Sequence, residues 1–344
     1  MKSKEYWVNR LEMLEHAVRR RDEKFIENVE MLYISTLDTI EKDIDKWFKR
    51  LAENNGVSLL EARKLLNANE LKEFKWTVQQ YIKKGQENAV NQAWMKELEN
   101  ASARAQISRL TMLQMQIRQH MELLGAVEDT MFKGFIEDQY MYQYYHVAHE
   151  VAIGTNVAIA LQAVDTLKLE KLMSKPWAAD GLTFSNRIWK RKEEVINELY
   201  IQLTQSLARG VGPEETTRLL YKKLGDHHSR YEIRRLVITE SAFFASTAQK
   251  DVFNDLDVEL YQFISTLDRR TSTVCREMDN VVMEMKNYQP GTTAPPLHPF
   301  CRSVTVPYFD DSTSERYARN AEGEGIYVPS DMKYQEWYDK FIKE

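Results

Sequence analysis

The sequence predicts a mainly α-helical protein that ends in a small α+β module. Its prolines are concentrated late in the chain: none precedes Pro176, and five of the eight fall between Pro290 and Pro307. Because proline breaks helices, the first 175 residues are free to form long ones. Apolar residues recur there at every third or fourth position, whereas short runs of β-branched and aromatic residues appear after Asp255.

The N-terminal helix has the clearest pattern. An apolar stripe begins at Trp7 and continues over roughly 45 residues to Leu51, and the sequence Asn54-Asn55-Gly56 ends it. At 1.5 Å per residue such a helix is about 65 Å long. We therefore expect an elongated N-terminal region of long amphipathic helices, in which this helix is a stalk, a bundle member or an arm that binds a partner. Trp7 and Trp47 are the predicted partner contacts.

Turn-forming residues and changes in composition divide the chain into four predicted segments. These are a long-helix region at 1–175, a second helical block at 176–254, an α+β module at 255–310 and a polar tail at 311–344. Helices are predicted from Ser58, over 70–84, over 86–124 with a stop at Gly125, in two or three pieces over 127–172, and over 185–208, 213–223, 229–252 and 332–342. Strands are predicted at 260–267 and 303–308.

Composition excludes several classes of protein. The 344 residues include 12 glycines, 8 prolines and 2 cysteines, and the net charge is −5. These values argue against a collagenous chain, a largely disordered chain and a disulfide scaffold. The N-terminus lacks the apolar run of a signal peptide, and the most apolar stretch, 151–164, is shorter than the ~20 residues that cross a bilayer. We expect a soluble protein, made inside the cell, without a membrane partner.

The most distinctive residues for chemistry are Cys275, His298 and Cys301. Thiolate and imidazole are ligands that Zn²⁺ takes in tetrahedral sites, so these three are candidate ligands of a structural zinc site whose fourth ligand is Asp268, Asp279 or water. The pattern favours a plain buried cluster over this metal site, because the usual two close ligand pairs are reduced here to one pair and a single cysteine. A buried cluster of free thiols, a disulfide, and a Cys/His nucleophile with His298 as base remain open alternatives. The sequence lacks a phosphate-binding loop, a Gly-x-Ser-x-Gly elbow and a His-Glu-x-x-His motif, so it predicts a protein that is not an enzyme.

Two basic clusters raise the question of DNA binding, because lysine and arginine contact phosphates. Acidic residues follow each cluster within a turn or two, which favours solvated helix faces instead. The predicted DNA contacts are Arg19, Arg20, Arg21, Arg187, Lys190, Arg191 and Lys192.

The C-terminal module resembles a known family. The segments Thr266–Asp279, with Asp268-Arg-Arg-Thr271 and Cys275, and Pro290–Ser303, with Pro-Pro-Leu-His298-Pro-Phe-Cys301-Arg, are similar to the signature of the Mu F-like head-morphogenesis proteins of tailed bacteriophages. Upstream, Leu236–Phe243 is similar to the helix that precedes the module in that family. Lys175–Gly181 and Asn69–Trp76 resemble minor head proteins of phages of Gram-positive bacteria.

The resemblance implies a low-copy structural protein of the phage head. Such proteins associate with the portal or the procapsid interior and act in head assembly, DNA packaging or DNA ejection. The implied partners are portal, scaffold and capsid proteins and phage DNA, first in the host cytoplasm and then inside the virion head. A DNA-binding internal protein and a metal-dependent hydrolase centred on Cys275, His298 and Cys301 are the alternatives.

In the family pattern, Asp268, Arg270 and Thr271 form the turn of the module. Ser272 and Ser303 stand where its fuller form has cysteines. This leaves Cys275, His298 and Cys301 as the metal ligands that the resemblance allows.

Overall fold

The computed structural model describes residues 2–55, 109–156, 163–208, 213–225, 227–309, 315–329 and 332–342. The helices predicted from Ser58, over 70–84 and in the first part of 86–124 lie outside these ranges. The helices within them are α1 Lys4–Asn55, α2 Arg109–Thr155, α3 Thr166–Met173, α4 Phe184–Ala208, α5 Pro213–Gly225, α6 His227–Asp255, α7 Thr273–Met278 and α8 Tyr334–Phe341. The strands are β1 Leu260–Ile264, β2 Val282–Glu284, β3 Val304–Pro307, β4 Glu315–Arg319 and β5 Gly325–Pro329. The predicted class, mainly α with a small α+β module, is confirmed.

Helix α1 is described from Lys4 to Asn55, and the stop predicted at Gly56 lies outside the described residues. Its apolar stripe is buried from Trp7 to Ile44, so the chain itself covers this part of the helix. Its buried residues are Trp7, Val8, Leu11, Leu14, Val18, Phe25, Ile26, Val29, Tyr33, Leu37, Ile40 and Ile44.

The predicted stop at Gly125 is wrong, because α2 continues through it to Thr155. A Cβ at this position would lie 3.0 Å from the Lys192 side chain and 3.2 Å from the Trp189 ring. Glycine therefore serves here to let α4 approach α2 closely, and it does not end the helix. Within the described residues, no helix is both long and apolar enough to cross a membrane.

The chain divides into two compact units, each assembled from separated segments. One contains residues 1–26, 133–181 and 234–344, and the other contains 27–132 and 182–233. These units differ from the contiguous predicted segments. Long helices pair with partners far away in sequence, and a composition profile along the chain does not show such pairing.

The first unit contains the α+β module. Its antiparallel sheet has the strand order β2-β1-β3, and the predicted strands β1 and β3 pair with each other, Phe263 opposite Thr305. Beyond them, β4 and β5 form a hairpin that the sequence analysis missed. The predicted C-terminal helix is present as α8, and its Trp337 is fully buried in a cluster with residues of the hairpin. The predicted polar tail is therefore a packed part of this unit.

Trp7 and Gly154 form the tightest helix contact of the first unit. Trp7 is 1% exposed, and a Cβ built on Gly154 would lie 2.1 Å from its indole ring. We expect Gly154→Ala to destabilise the protein by about 3 kcal/mol, because the ring must leave a packed position. Urea unfolding followed by the change in helical circular dichroism measures the effect.

Gly134 on the same helix is the matched control for this substitution. It is exposed, and nothing lies within 4 Å of the position of its Cβ. Gly134→Ala should therefore stabilise the protein slightly, by up to about 1 kcal/mol, since alanine is the better helix former. Equal effects of the two alanines would contradict the described packing of Trp7.

Candidate functional site

The turn predicted at the start of the module is held by Asp268. Its carboxylate accepts two hydrogen bonds from the Arg302 guanidinium and one from the Arg270 backbone N–H at 2.8 Å. Burial opposes ionisation, but these donors outweigh it and lower the pKa of Asp268. The Thr271 hydroxyl donates to the Thr266 carbonyl and closes the same turn. The turn therefore fixes the start of α7 against the loop that leads into β3.

Trp177 links two parts of the first unit to that loop. Its Nε1 donates to Glu240 on α6 at 2.8 Å, and its ring stacks on Phe243 with the centroids 4.4 Å apart. The same ring covers Gly291, where a Cβ would lie 3.3 Å away and φ is +88°. The three stretches singled out in the sequence around Trp177, Glu240 and Gly291 thus meet at one residue.

Three metal-ligating side chains converge at the end of this loop. The Cys275 Sγ lies 3.3 Å from the His298 Nε2 and 3.7 Å from the Cys301 Sγ. The three ligand atoms all lie within 4.8 Å of one another. Cys275 comes from α7, whose first turn is capped by the Ser272 hydroxyl, while His298 and Cys301 precede β3. The structure thus brings together residues that are up to 26 positions apart in sequence.

The His298 ring is oriented by its own loop. Its Nδ1 lies 2.7 Å from the Pro299 carbonyl oxygen, which can only accept a hydrogen bond, so Nδ1 carries a proton. Nε2 is the atom turned toward the sulfurs. The Cys301 backbone N–H donates to the His298 carbonyl at 3.2 Å and closes the turn between the two residues.

The two thiols differ in acidity. A hydrogen bond from Cys275, together with His298, lowers the pKa of Cys301 well below its usual range, and hydrogen bonding to Cys301 and burial raise the pKa of Cys275. Hydrogen bonding with Cys301 also raises the pKa of His298. Cys301 is only 2% exposed and Cys275 only 1%, so neither sulfur is open to a substrate as a nucleophile must be.

The two aspartates predicted as a fourth ligand have other partners. Asp268 belongs to the turn described above, and Asp279 accepts a hydrogen bond from the Ser265 backbone N–H at 2.9 Å. Among the described residues, the ligand cluster consists of Cys275, His298 and Cys301. The hydroxyls of Ser272 and Ser303 lie within hydrogen-bonding reach of the Cys275 thiol.

The comparison with protein families supports the resemblance carried by these residues. Residues 197–306, about a third of the chain, match the family model described as Phage Mu protein F like protein. This region is Mu F-like. The match begins within α4 and ends within β3, so it includes the Asp268 turn and all three ligand residues. No curated protein and no solved structure matches the chain.

The Mu F-like match suggests a protein of phage head morphogenesis. A structural head family favours a structural over a catalytic role.

The first basic cluster is only partly open to a ligand. Arg19 pairs with Glu15 at 2.6 Å and donates to the Cys301 carbonyl. Arg21 donates to Gln139 at 2.7 Å and lies over the Tyr142 ring. Arg20 is exposed. Two of the three predicted DNA contacts thus hold α1 within its own unit.

Two of the four residues of the second basic cluster are buried in ion pairs, which corrects the interpretation of Arg191 and Lys192 as DNA contacts. Arg191 pairs with Glu128, and Lys192, 1% exposed, pairs with Glu122 at 2.6 Å. Lys190 is exposed and Arg187 is half-buried. The acidic partners are on α2, more than 60 residues away in sequence, so the local charge pattern does not show them.

The tryptophans predicted as partner contacts are placed differently. Trp7 is buried against Gly154 and lies 5.9 Å from the Phe309 ring, so it offers no surface to a partner. That prediction is wrong for Trp7, because the indole completes the core of its own unit. Trp47 lies in α1, and its side chain is outside the described part of the chain.

The sequence analysis missed a buried acid beside the site. Asp22 on α1 is 1% exposed and borders a cavity of about 50 Å³ that Gln143, Gln249 and Cys301 also line. Neither of its carboxylate oxygens has a hydrogen bond of ordinary geometry within the described residues. Burial raises the pKa of Asp22 to about 7, although the Ser241 hydroxyl and Arg19 offset part of this rise.

Proposed function

We propose that this chain is a minor head protein of a tailed bacteriophage. In this role a few copies associate with the portal or the procapsid interior and act in head assembly, DNA packaging or DNA ejection. The single observation that carries the proposal is the Mu F-like match over residues 197–306. Its partners are portal, scaffold and capsid proteins, in the host cytoplasm during assembly and then inside the head.

The packing of neighbouring helices around the matched region supports this proposal. The module shares its unit with parts of α1, α2 and α6, and these parts contribute Arg19, Gln143 and Gln249 around it. Gln249 donates to the Thr305 carbonyl at 2.6 Å and so joins α6 to β3. The neighbouring helices thus hold the module in place, and a rigidly held module suits a protein with a fixed position in an assembly.

Most of the basic residues that the sequence suggested for DNA binding are engaged within the protein. Of the seven basic residues that the sequence suggested for DNA, Arg191 and Lys192 are buried in ion pairs and Arg19 and Arg21 bind within their unit. Arg20 and Lys190 are the exposed members. We therefore rank the DNA-binding internal protein second.

A hydrolase ranks third. A metal-dependent hydrolase needs a general base near the ion, as well as access for a substrate. Within the described residues no carboxylate joins the Cys275, His298 and Cys301 cluster, and both sulfurs are buried.

Sedimentation of purified heads at low salt and at about 1 M NaCl tests the proposal, since high salt screens charges beyond about 3 Å. We expect a few copies per particle, retained in high salt, and the same retention for Arg20→Ala/Lys190→Ala. Release by salt together with loss of binding in this double variant would favour DNA binding. Absence of the chain from heads at both salt concentrations would overturn the proposal.

A further inference from the structure

The Cys275, His298 and Cys301 cluster has the spacing of a metal site. In a tetrahedral zinc site with Zn–S bonds of about 2.3 Å and Zn–N bonds of about 2.0 Å, two sulfurs lie about 3.8 Å apart, and a sulfur and a nitrogen about 3.5 Å. The corresponding distances here are 3.7 Å between the sulfurs and 3.3 Å from the Cys275 Sγ to the His298 Nε2. The three atoms could therefore bind one ion with only small side-chain movements.

The surroundings of the cluster also suit an ion. Zinc-binding histidines usually donate their other ring N–H to a carbonyl or carboxylate, which fixes the tautomer. His298 does so through Nδ1 to Pro299, and this leaves Nε2 to face the sulfurs. The two sulfurs lie in a small apolar cluster with Phe263 and Leu297 beside them, which shields the sulfurs from competing ligands.

We infer that Cys275, His298 and Cys301 bind one Zn²⁺ ion as a structural site, with a solvent molecule as its fourth ligand. Solvent reaches the site at His298, which is only partly buried. Two thiolates and an imidazole select Zn²⁺ over Mg²⁺ and Ca²⁺, which prefer oxygen ligands. The ion ties α7 to the loop before β3, and so supplements the Asp268–Arg302 contact between the same two segments.

A small sheet gains most from such a link. The sheet has only three strands, of three to five residues each, and the buried residues of the apolar cluster at the sulfurs are Phe263 and the two cysteines themselves. Modules with little buried apolar surface are often stabilised by a metal ion or a disulfide. In this chain the ion would provide that stabilisation, since the two cysteines are free thiols and do not form a disulfide.

The test uses the full chain, purified with a reductant and with zinc in the growth medium. We expect one zinc per chain by elemental analysis, and Co²⁺ in its place should give the absorption of a tetrahedral thiolate site. Cys275→Ser and His298→Ala should each lose the bound ion, while His146→Ala, which changes an exposed histidine on α2, should keep it. A strong chelator should lower the unfolding temperature of the wild type.

Two further measurements keep the inference falsifiable if the ligand variants fail to fold. In the wild type, both thiols should resist alkylation until the chelator is added, because bound thiolates are protected. A chain with no zinc, no Co²⁺ absorption and two freely alkylated thiols would overturn the inference. A Cys275–Cys301 disulfide in the freshly purified chain would overturn it as well. All of these readouts use the isolated chain, so they are independent of its association with heads.

Discussion

Replacing Arg191 by methionine should destabilise the protein by about 3–5 kcal/mol. Arg191 is 8% exposed and forms an ion pair with Glu128, which is 1% exposed. The Tyr33 hydroxyl donates to the same carboxylate at 2.9 Å. Without the guanidinium, Glu128 remains as a buried negative charge with one neutral donor, and this uncompensated charge is the source of the cost. Urea unfolding at neutral pH measures it.

Two matched variants separate this explanation from a loss of packing. The double variant Arg191→Met/Glu128→Gln removes both charges and keeps an acceptor for Tyr33, so it should recover most of the lost stability. Arg218→Ala removes an arginine that pairs with Glu215 at the surface, and it should leave the unfolding midpoint unchanged. A double variant as unstable as Arg191→Met would mean that shape, and not charge, accounts for the loss.

Replacing Asp22 by asparagine should stabilise the protein at pH 8, by at most about 4 kcal/mol. The folded-state pKa of Asp22, about 7, lies above the ordinary value near 3.8 because burial disfavours the carboxylate. The folded protein therefore binds this proton more tightly than the unfolded chain does. Below about pH 4 the residue is neutral in both states and costs nothing. Between about pH 4 and 7 the residue lowers the free energy of unfolding by an amount that grows with pH, and above pH 7 this amount is constant.

The comparison of unfolding at pH 5 and pH 8 tests this prediction. The wild type should lose stability between the two values, and Asp22→Asn should lose less. Asp138→Asn, at a side chain that is 74% exposed, should retain the wild-type dependence. The same pH dependence in the wild type and in Asp22→Asn would contradict the raised pKa. Glu15 and Glu23, which also raise the pKa of Asp22, remain in every variant.

The sequence predicted helices and strands well where the apolar or β-branched residues follow one regular local pattern. The apolar stripe of α1 repeats every three to four residues for most of its length, and the predicted helix is present over the described residues Lys4–Asn55. The strands β1 and β3 were predicted from short β-branched and aromatic runs, and they pair with each other. The structure also brings Cys275, His298 and Cys301 together, as the spacing of the two cysteines and this histidine suggested, while metal binding by them stays a prediction.

What the sequence did not reveal depends on contacts between distant segments. A glycine such as Gly125 often ends a helix. Its close contact with Trp189 and Lys192 shows that it is needed here for packing, inside a helix that continues. In the sequence, Arg191 and Lys192 look like part of an exposed basic patch, because their acidic partners are on another helix. The same holds for Asp22, which is one acid among many on α1 until the burial of its side chain is known.

The most direct test of the central claim is the number of copies of this chain in empty procapsids, isolated before DNA packaging, by quantitative mass spectrometry against the portal protein. The proposed minor head role predicts a small and constant number of copies per procapsid, and the same number in filled heads. A chain that is absent from procapsids, and that appears only with DNA or not at all, would contradict it.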